Sequence, residues 1–191
     1  MSYTEMVYFK KDGKAEGYID IKNAFRGAMA IWTIIEEKYL PTFRPSFVPE
    51  YISNIEEYLG FKPSRIIPTF NEEEHIKNMH EIWDLFNSDK VNKIDRIVLG
   101  TTFDRVLVKR ENFEELISAF ENFNSDTSLK EQAGVIKGML KNKEIIAVGW
   151  NQTSICSNQW IQHKYNEEND EYEPYNCLTG ENHFWLFDGL K

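Results

Sequence analysis

The stretch KIDRIVLGTTFDRVLVKR, residues 93–110, decides how this chain is read. Isoleucine, valine and leucine crowd its first half up to Gly100. In its second half Phe103, Arg105 and Leu107 alternate with Asp104, Val106 and Val108. A period of two sets successive side chains on opposite faces of a strand. Read together, the halves predict a strand pair hinged at Gly100.

Upstream, residues 4–21 (TEMVYFKKDGKAEGYIDI) predict a hairpin, with Asp12-Gly13 supplying the positive φ of a tight primed turn. Val7 and Phe9 alternate with Met6 and Tyr8, so both faces of the first strand are expected to be covered. Downstream, EIIAVGW (144–150), SICSNQWIQ (154–162) and NHFWLF (182–187) predict further strands.

Five stretches carry helical spacing. Residues 23–39 place Phe25, Ala28, Trp32, Ile35 and Tyr39 at three- and four-residue steps. Pro41, Pro45 and Pro49 end that helix, and Pro49 suits the start of a short one that Gly60 closes. Residues 71–88 open with Asn71 as the cap and three glutamates at the positive end of the dipole. A helix from Asn112 groups Phe113, Leu116, Ile117 and Phe120, and one after Ser128 has the Ser128/Glu131 spacing of a capping box. Its inner face is Leu129, Ala133, Ile136 and Leu140. The order of elements lacks regular strand–helix alternation. It predicts an α+β fold with a mainly antiparallel sheet (N-terminal hairpin, central strand pair, C-terminal strands) packed with about five helices. Residues 1–191 are expected to form one such domain, with a possible sub-domain joint near 41–49.

Composition bounds the function. Hydrophobic residues at 41% and aromatics at 14% exclude a disordered chain. No apolar run approaches the roughly 18 residues of a membrane span. The N-terminal MSYTEMVYFKKDGK has no apolar core behind a basic stretch, so a cytoplasmic location is expected. A net charge of −9 opposes binding to nucleic acid backbones and anionic membranes, and suits a basic protein partner. No phosphate loop, dinucleotide fingerprint or nucleophile elbow occurs, and no cofactor is implied.

His80-Glu81-Ile82-Trp83-Asp84 falls one residue short of the metalloprotease helix motif H-E-x-x-H. An apolar stripe of Ile76, Met79, Ile82, Trp83 and Phe86 would turn His80 and Asp84 towards solvent, where a zinc ion has no walls, so no metal site is expected. His75 lies on that stripe, as an interior histidine or an acid–base group. Cys156 and His183 would make a thiolate pair if their strands were neighbours, with Asn158, Asn182 or Asp188 to orient the imidazole. A Cys156–Cys177 disulfide is the alternative to two thiols.

Two stretches point to binding. Around Trp150 and Trp160 the chain is rich in amides and hydroxyls (Asn151, Gln152, Thr153, Ser154, Asn158, Gln159), which would line a polar pocket walled by the two indoles. The run from Glu167 to Glu173 holds five carboxylates: Glu167, Glu168, Asp170, Glu171 and Glu173. It has no regular period and ends at Pro174, so it is read as a solvated loop available for contact.

The Asn-, Lys- and Glu-rich, aromatic, motif-poor make-up is that of a soluble accessory protein of bacterial or phage type. Protein–protein binding or inhibition is the expected function, possible as a homo-oligomer. A small hydrolase or transferase using Cys156, His183, His75 or His80 is the alternative.

Overall fold

The computed structural model describes every residue except 1–2, 23–27, 42–53, 60–61, 63–70, 124–127, 153–159, 161–162, 180–182 and 191. Strands β1 (Tyr3–Lys10) and β2 (Ala15–Lys22) pair antiparallel. Four helices follow: α1 (Ala28–Tyr39), α2 (Ile55–Leu59), α3 (Glu72–Phe86) and α4 (Lys93–Gly100). Strand β3 (Val106–Lys109) leads through a 3-10 turn into α5 (Phe113–Asn122) and α6 (Leu129–Met139). Strand β4 (Ile145–Gln152) then returns to the sheet. The C-terminal part adds β5 (His163–Asn166), β6 (Glu171–Pro174), the two-residue β7 (Phe184–Trp185) and a closing 3-10 turn, Leu186–Asp188.

The fold is α+β. Its main sheet runs β2-β1-β4-β3-β7, antiparallel throughout except where β7 lies parallel to β3. Among the described residues β5 and β6 form a separate two-stranded sheet. Alternation along the strands splits the core in two. Met6, Val106, Val108, Val148 and Trp150 join Ile35, Phe86, Leu99, Phe113, Phe120 and Ile136 from the helices. On the opposite face Val7, Phe9, Leu107 and Ala147 pack with Trp160 and Cys177. Both faces of β1 are thus covered, as its apolar residues on both registers require. Gly17 sits at the β1–β2 register shift, where Met6 faces Ile19 and Val7 faces Gly17. Gly149 lies so close to its neighbours that a Cβ would meet Leu107, Trp160 and the Val106 carbonyl at 2.9 to 3.0 Å.

The turn between β1 and β2 differs from expectation. A primed turn needs positive φ at both central residues. Gly13 alone has it, at 76°, while its N–H donates to the Lys10 carbonyl at 2.9 Å. Lys11 and Asp12 make an ordinary turn, and the glycine supplies the twist that rejoins the strands.

The strand pair expected over 93–110 is half helix. Residues 93–100 form α4, because Asn92 caps it. The Asn92 Oδ1 accepts from the Asp95 N–H at 3.0 Å, and its Nδ2 donates to the Asp95 carboxylate at 2.8 Å. Three adjacent apolar residues, Ile97 to Leu99, fit a buried helix as well as a strand, and the cap distinguishes them. Gly100 closes the helix where a Cβ would meet Leu186 at 2.2 Å and Phe86 at 2.8 Å. Thr101 and Thr102 turn their hydroxyls back to the Val98 and Leu99 carbonyls.

Asn71 caps α3 as expected, accepting from the Glu74 N–H at 3.0 Å, with Glu72, Glu73 and Glu74 in the first turn. The helix expected over 23–39 is described from Ala28 onwards; its first residues and the prolines at 45 and 49 lie outside the described residues. The Ser128 capping box does not form. Ser128 has φ −72° and ψ 4°, and its Oγ instead accepts from the Gln132 Nε2 at 3.1 Å. The NHFWLF stretch gives only the two residues of β7 as strand, since Leu186 to Asp188 coil to bury Leu186 against Gly100. No described helix is long and apolar enough to cross a membrane.

Candidate functional site: a tyrosine-faced acidic ribbon

Residues 163–174, HKYNEENDEYEP, form a two-stranded ribbon rather than the expected loop. Side-chain amides make the turn. The Asn166 Oδ1 accepts from the Glu168 N–H at 2.9 Å, and the Asn169 Oδ1 from the Glu171 N–H at 3.2 Å. Asp170 takes the left-handed conformation at φ 57°, which short polar residues tolerate. The chain is thereby reversed without glycine, and Glu171–Pro174 becomes strand β6.

The register assigns two faces. His163 faces Pro174 and Tyr165 faces Tyr172; on the other side Lys164 faces Glu173 and Asn166 faces Glu171. Tyr165 and Tyr172 contact across the strands with ring centroids 5.3 Å apart. Tyr165 is 44% and Tyr172 72% exposed, so Tyr172 keeps most of its surface open to solvent. The Tyr165 hydroxyl donates to Asp170, which holds that carboxylate at the aromatic edge and raises the phenol above its ordinary pKa. On the other face Glu173 accepts from Asn166 at 2.8 Å and from Asn169 at 3.1 Å, which lowers its pKa. Glu167, Glu168, Asp170 and Glu171 are all exposed at or beside the turn.

The other expected site residues are placed differently. Trp150 and Trp160 do not wall a common pocket. Each is buried, on opposite faces of the sheet. Trp150 donates to the Gln132 Oε1 at 2.9 Å, and Trp160 donates to the Trp150 carbonyl at 3.1 Å and packs edge-on against Phe9. Asn151 is buried in β4; Asn158 lies outside the described residues. Gln132→Leu leaves the indole N–H of Trp150 buried with its acceptor gone. It is expected to lower unfolding free energy by about 1–2 kcal/mol in urea titration. A change under about 0.3 kcal/mol would show that this bond contributes nothing net.

On α3, His80 and Asp84 are exposed and His75 is half-buried. His75 and His80 are five residues apart, so at 100° per residue they diverge by about 140°. The expected apolar stripe is rotated. Ile82, Leu85 and Phe86 are buried, whereas Ile76 is 47% and Trp83 48% exposed. Trp83 instead lies over Phe103 at 4.7 Å, with Phe86 and Phe184 beyond. A cavity of about 360 Å³ between the ends of α1 and α3 is lined by Tyr39, Leu40, Pro41, Glu81, Asp84, Leu85, Ser88 and Lys90. It includes none of His75, His80 or His183. His183 is half-buried beside Trp185, and burial lowers its pKa. Burial raises the pKa of Cys177, away from thiolate chemistry. Cys156 lies outside the described residues, and with it both the candidate thiolate pair with His183 and the alternative of a disulfide to Cys177. Among the described residues, no three His, Cys, Asp or Glu side chains group as they would around a metal ion.

Comparison of the chain with known protein families, with characterised proteins and with solved structures gives no match.

Proposed function

We propose that this protein is a soluble cytoplasmic accessory protein, of bacterial or phage type, that binds a basic protein partner through the β5–β6 ribbon. The observation that carries this reading is Tyr172. A tyrosine at 72% exposure, in tilted contact with a second exposed tyrosine across a separate two-stranded ribbon, commits little of its ring to the fold. Tyrosine supplies large contact area at low entropic cost, which suits it to interfaces. The surrounding charge selects the partner: five carboxylates against Lys164 in residues 163–174, within a chain of net charge −9. Such a field steers basic surfaces into contact and repels nucleic acid. The rest of the chain is read as one α+β domain that carries the ribbon, since residues from β1 to Leu190 join the larger core cluster.

The test is paired capture from extract of the source cell, using the immobilised full chain and the variant Glu167→Gln/Glu168→Gln/Tyr172→Ala. A partner recovered in stoichiometric amount by the former and at least about tenfold less by the latter supports the reading; a tenfold loss corresponds to about 1.4 kcal/mol. Equal recovery by both, or no recovery by either, rejects it. Because these side chains are exposed, the variant's urea midpoint is expected to match that of the parent.

A further inference from the structure

We infer that the Tyr165–Tyr172 face of the ribbon receives arginine side chains of a protein segment; this rests on the ribbon being the contact site. The face is an exposed sheet surface with a defined chemistry. Register places His163, Tyr165, Tyr172 and Pro174 together on it. The two rings are tilted by 58°, and Tyr172 keeps most of its surface open to solvent. A negative π-face attracts a cation laid over it. Asp170, drawn to the same face by the Tyr165 hydroxyl, puts a carboxylate at the edge of that platform. Glu173 is held on the opposite face by two asparagine amides, so it contributes field rather than contact.

This combination discriminates among cations. A guanidinium is planar and weakly hydrated, stacks on an aromatic ring, and keeps its N–H fork free to reach a carboxylate at the ring edge. A lysine ammonium is a strongly hydrated point charge and gains less from an open platform. The four residues of this face are also exposed, so they strip little water from a free amino acid. Affinity therefore needs a segment that presents arginine alongside further contacts to the exposed Glu167 and Glu168 at the turn.

The test is calorimetric titration of the full chain, at low salt, with two blocked peptides of equal length and charge. One carries three arginines spaced by glycine and the other three lysines. The arginine peptide is expected to bind at least about fivefold more tightly, a preference that Tyr172→Leu abolishes while leaving lysine affinity unchanged. Glu167→Gln/Glu168→Gln is expected to weaken both peptides by similar factors. Equal affinity for both peptides, with no effect of Tyr172→Leu, overturns the arginine inference and leaves a purely electrostatic ribbon. Failure of the arginine peptide to bind at millimolar concentration also overturns it, while the capture experiment decides separately whether the ribbon is a contact site at all.

Discussion

Arg110→Ala is expected to lower the unfolding free energy by about 3 kcal/mol, a large loss for a side chain outside the apolar core. The guanidinium closes the end of α6. One terminal nitrogen donates to the Asn142 carbonyl at 2.7 Å, to Ile145 at 2.9 Å and, at 3.4 Å, to Met139. The other donates to the Leu140 carbonyl at 2.6 Å. The last carbonyls of a helix have no partner within it and carry the negative end of its dipole. Here one cation from the turn before α5 reaches the carbonyl of Met139 and those of Leu140 and Asn142 just beyond the helix, then the first residue of β4. It therefore fixes how α6 re-enters the sheet beside the strand from which Arg110 itself departs. Hydrogen bonds to a charged group contribute about 1.5–3 kcal/mol each, but four from one side chain are not additive. Arg110→Lys is expected to recover less than half of the loss, because an ammonium lacks the planar fork that spans four acceptors. Urea unfolding of the two variants measures this, and a loss below about 1 kcal/mol for the alanine variant would refute the clamp.

That clamp shows what local sequence reading misses. Arg110 stands among alternating residues of 93–110 and looks like the polar end of a strand; its acceptors are backbone carbonyls about thirty positions away, which have no side-chain signature. Where the signal is a side-chain period or a cap next to its own helix, the sequence was sufficient. The buried face of α5 and the Asn71 cap both follow from neighbouring residues. The antiparallel α+β character was legible for the same reason. The helix at 93–100 was not, because Ile97, Val98 and Leu99 satisfy either period, and the deciding cap at Asn92 lies just upstream of the stretch that drew attention. The rotation of α3 was also hidden: Trp83 finds its ring partners on Phe103 and Phe184, from two other parts of the chain.

The ribbon was half visible. Its carboxylates and its exposure could be read directly, and its tyrosines were present in the same run. What turned a loop into a two-faced surface was the pairing of Tyr165 with Tyr172. That pairing depends on Asn166 and Asn169 reversing the chain through their side chains, a turn chemistry that needs no glycine or proline. The amide-rich stretch around Trp150 erred in the other direction. Alternation in β4 sends Trp150 to the helical side, and Trp160 caps the opposite side, so two nearby indoles serve two separate clusters.

Asp95→Ala is expected to lower stability by about 2–3 kcal/mol and to remove the part of the chain's sensitivity to alkali above about pH 10 that arises from the hydrogen bonds of Lys38 and Tyr39 to this carboxylate. Asp95 is buried on α4 and accepts from three groups: the Lys38 ammonium at 2.6 Å, the Asn92 amide at 2.8 Å, and the Tyr39 hydroxyl. Tyr39 in turn accepts from the Asn92 Nδ2 at 2.8 Å. Removing the carboxylate leaves Tyr39 half-buried with its acceptor lost and loosens the α4 cap. Lys38 is half-exposed and returns to water, which keeps the cost below that of an isolated buried charge. The pH dependence follows from where the protons sit. The Asp95 hydrogen bond raises the Lys38 pKa against the opposing effect of burial. Burial raises the Tyr39 pKa, and the hydrogen bond to Asp95 adds to it. Both groups therefore hold their protons more tightly in the folded chain than in the unfolded one. Their contribution is complete below the unfolded values, near about 10 for both, and is lost as pH rises through the higher folded values. Thermal melts of the parent are thus expected to fall faster than those of Asp95→Ala above pH 10, with the two curves parallel from pH 7 to 9. Curves that stay parallel up to pH 12 would mean that neither proton is held by this junction.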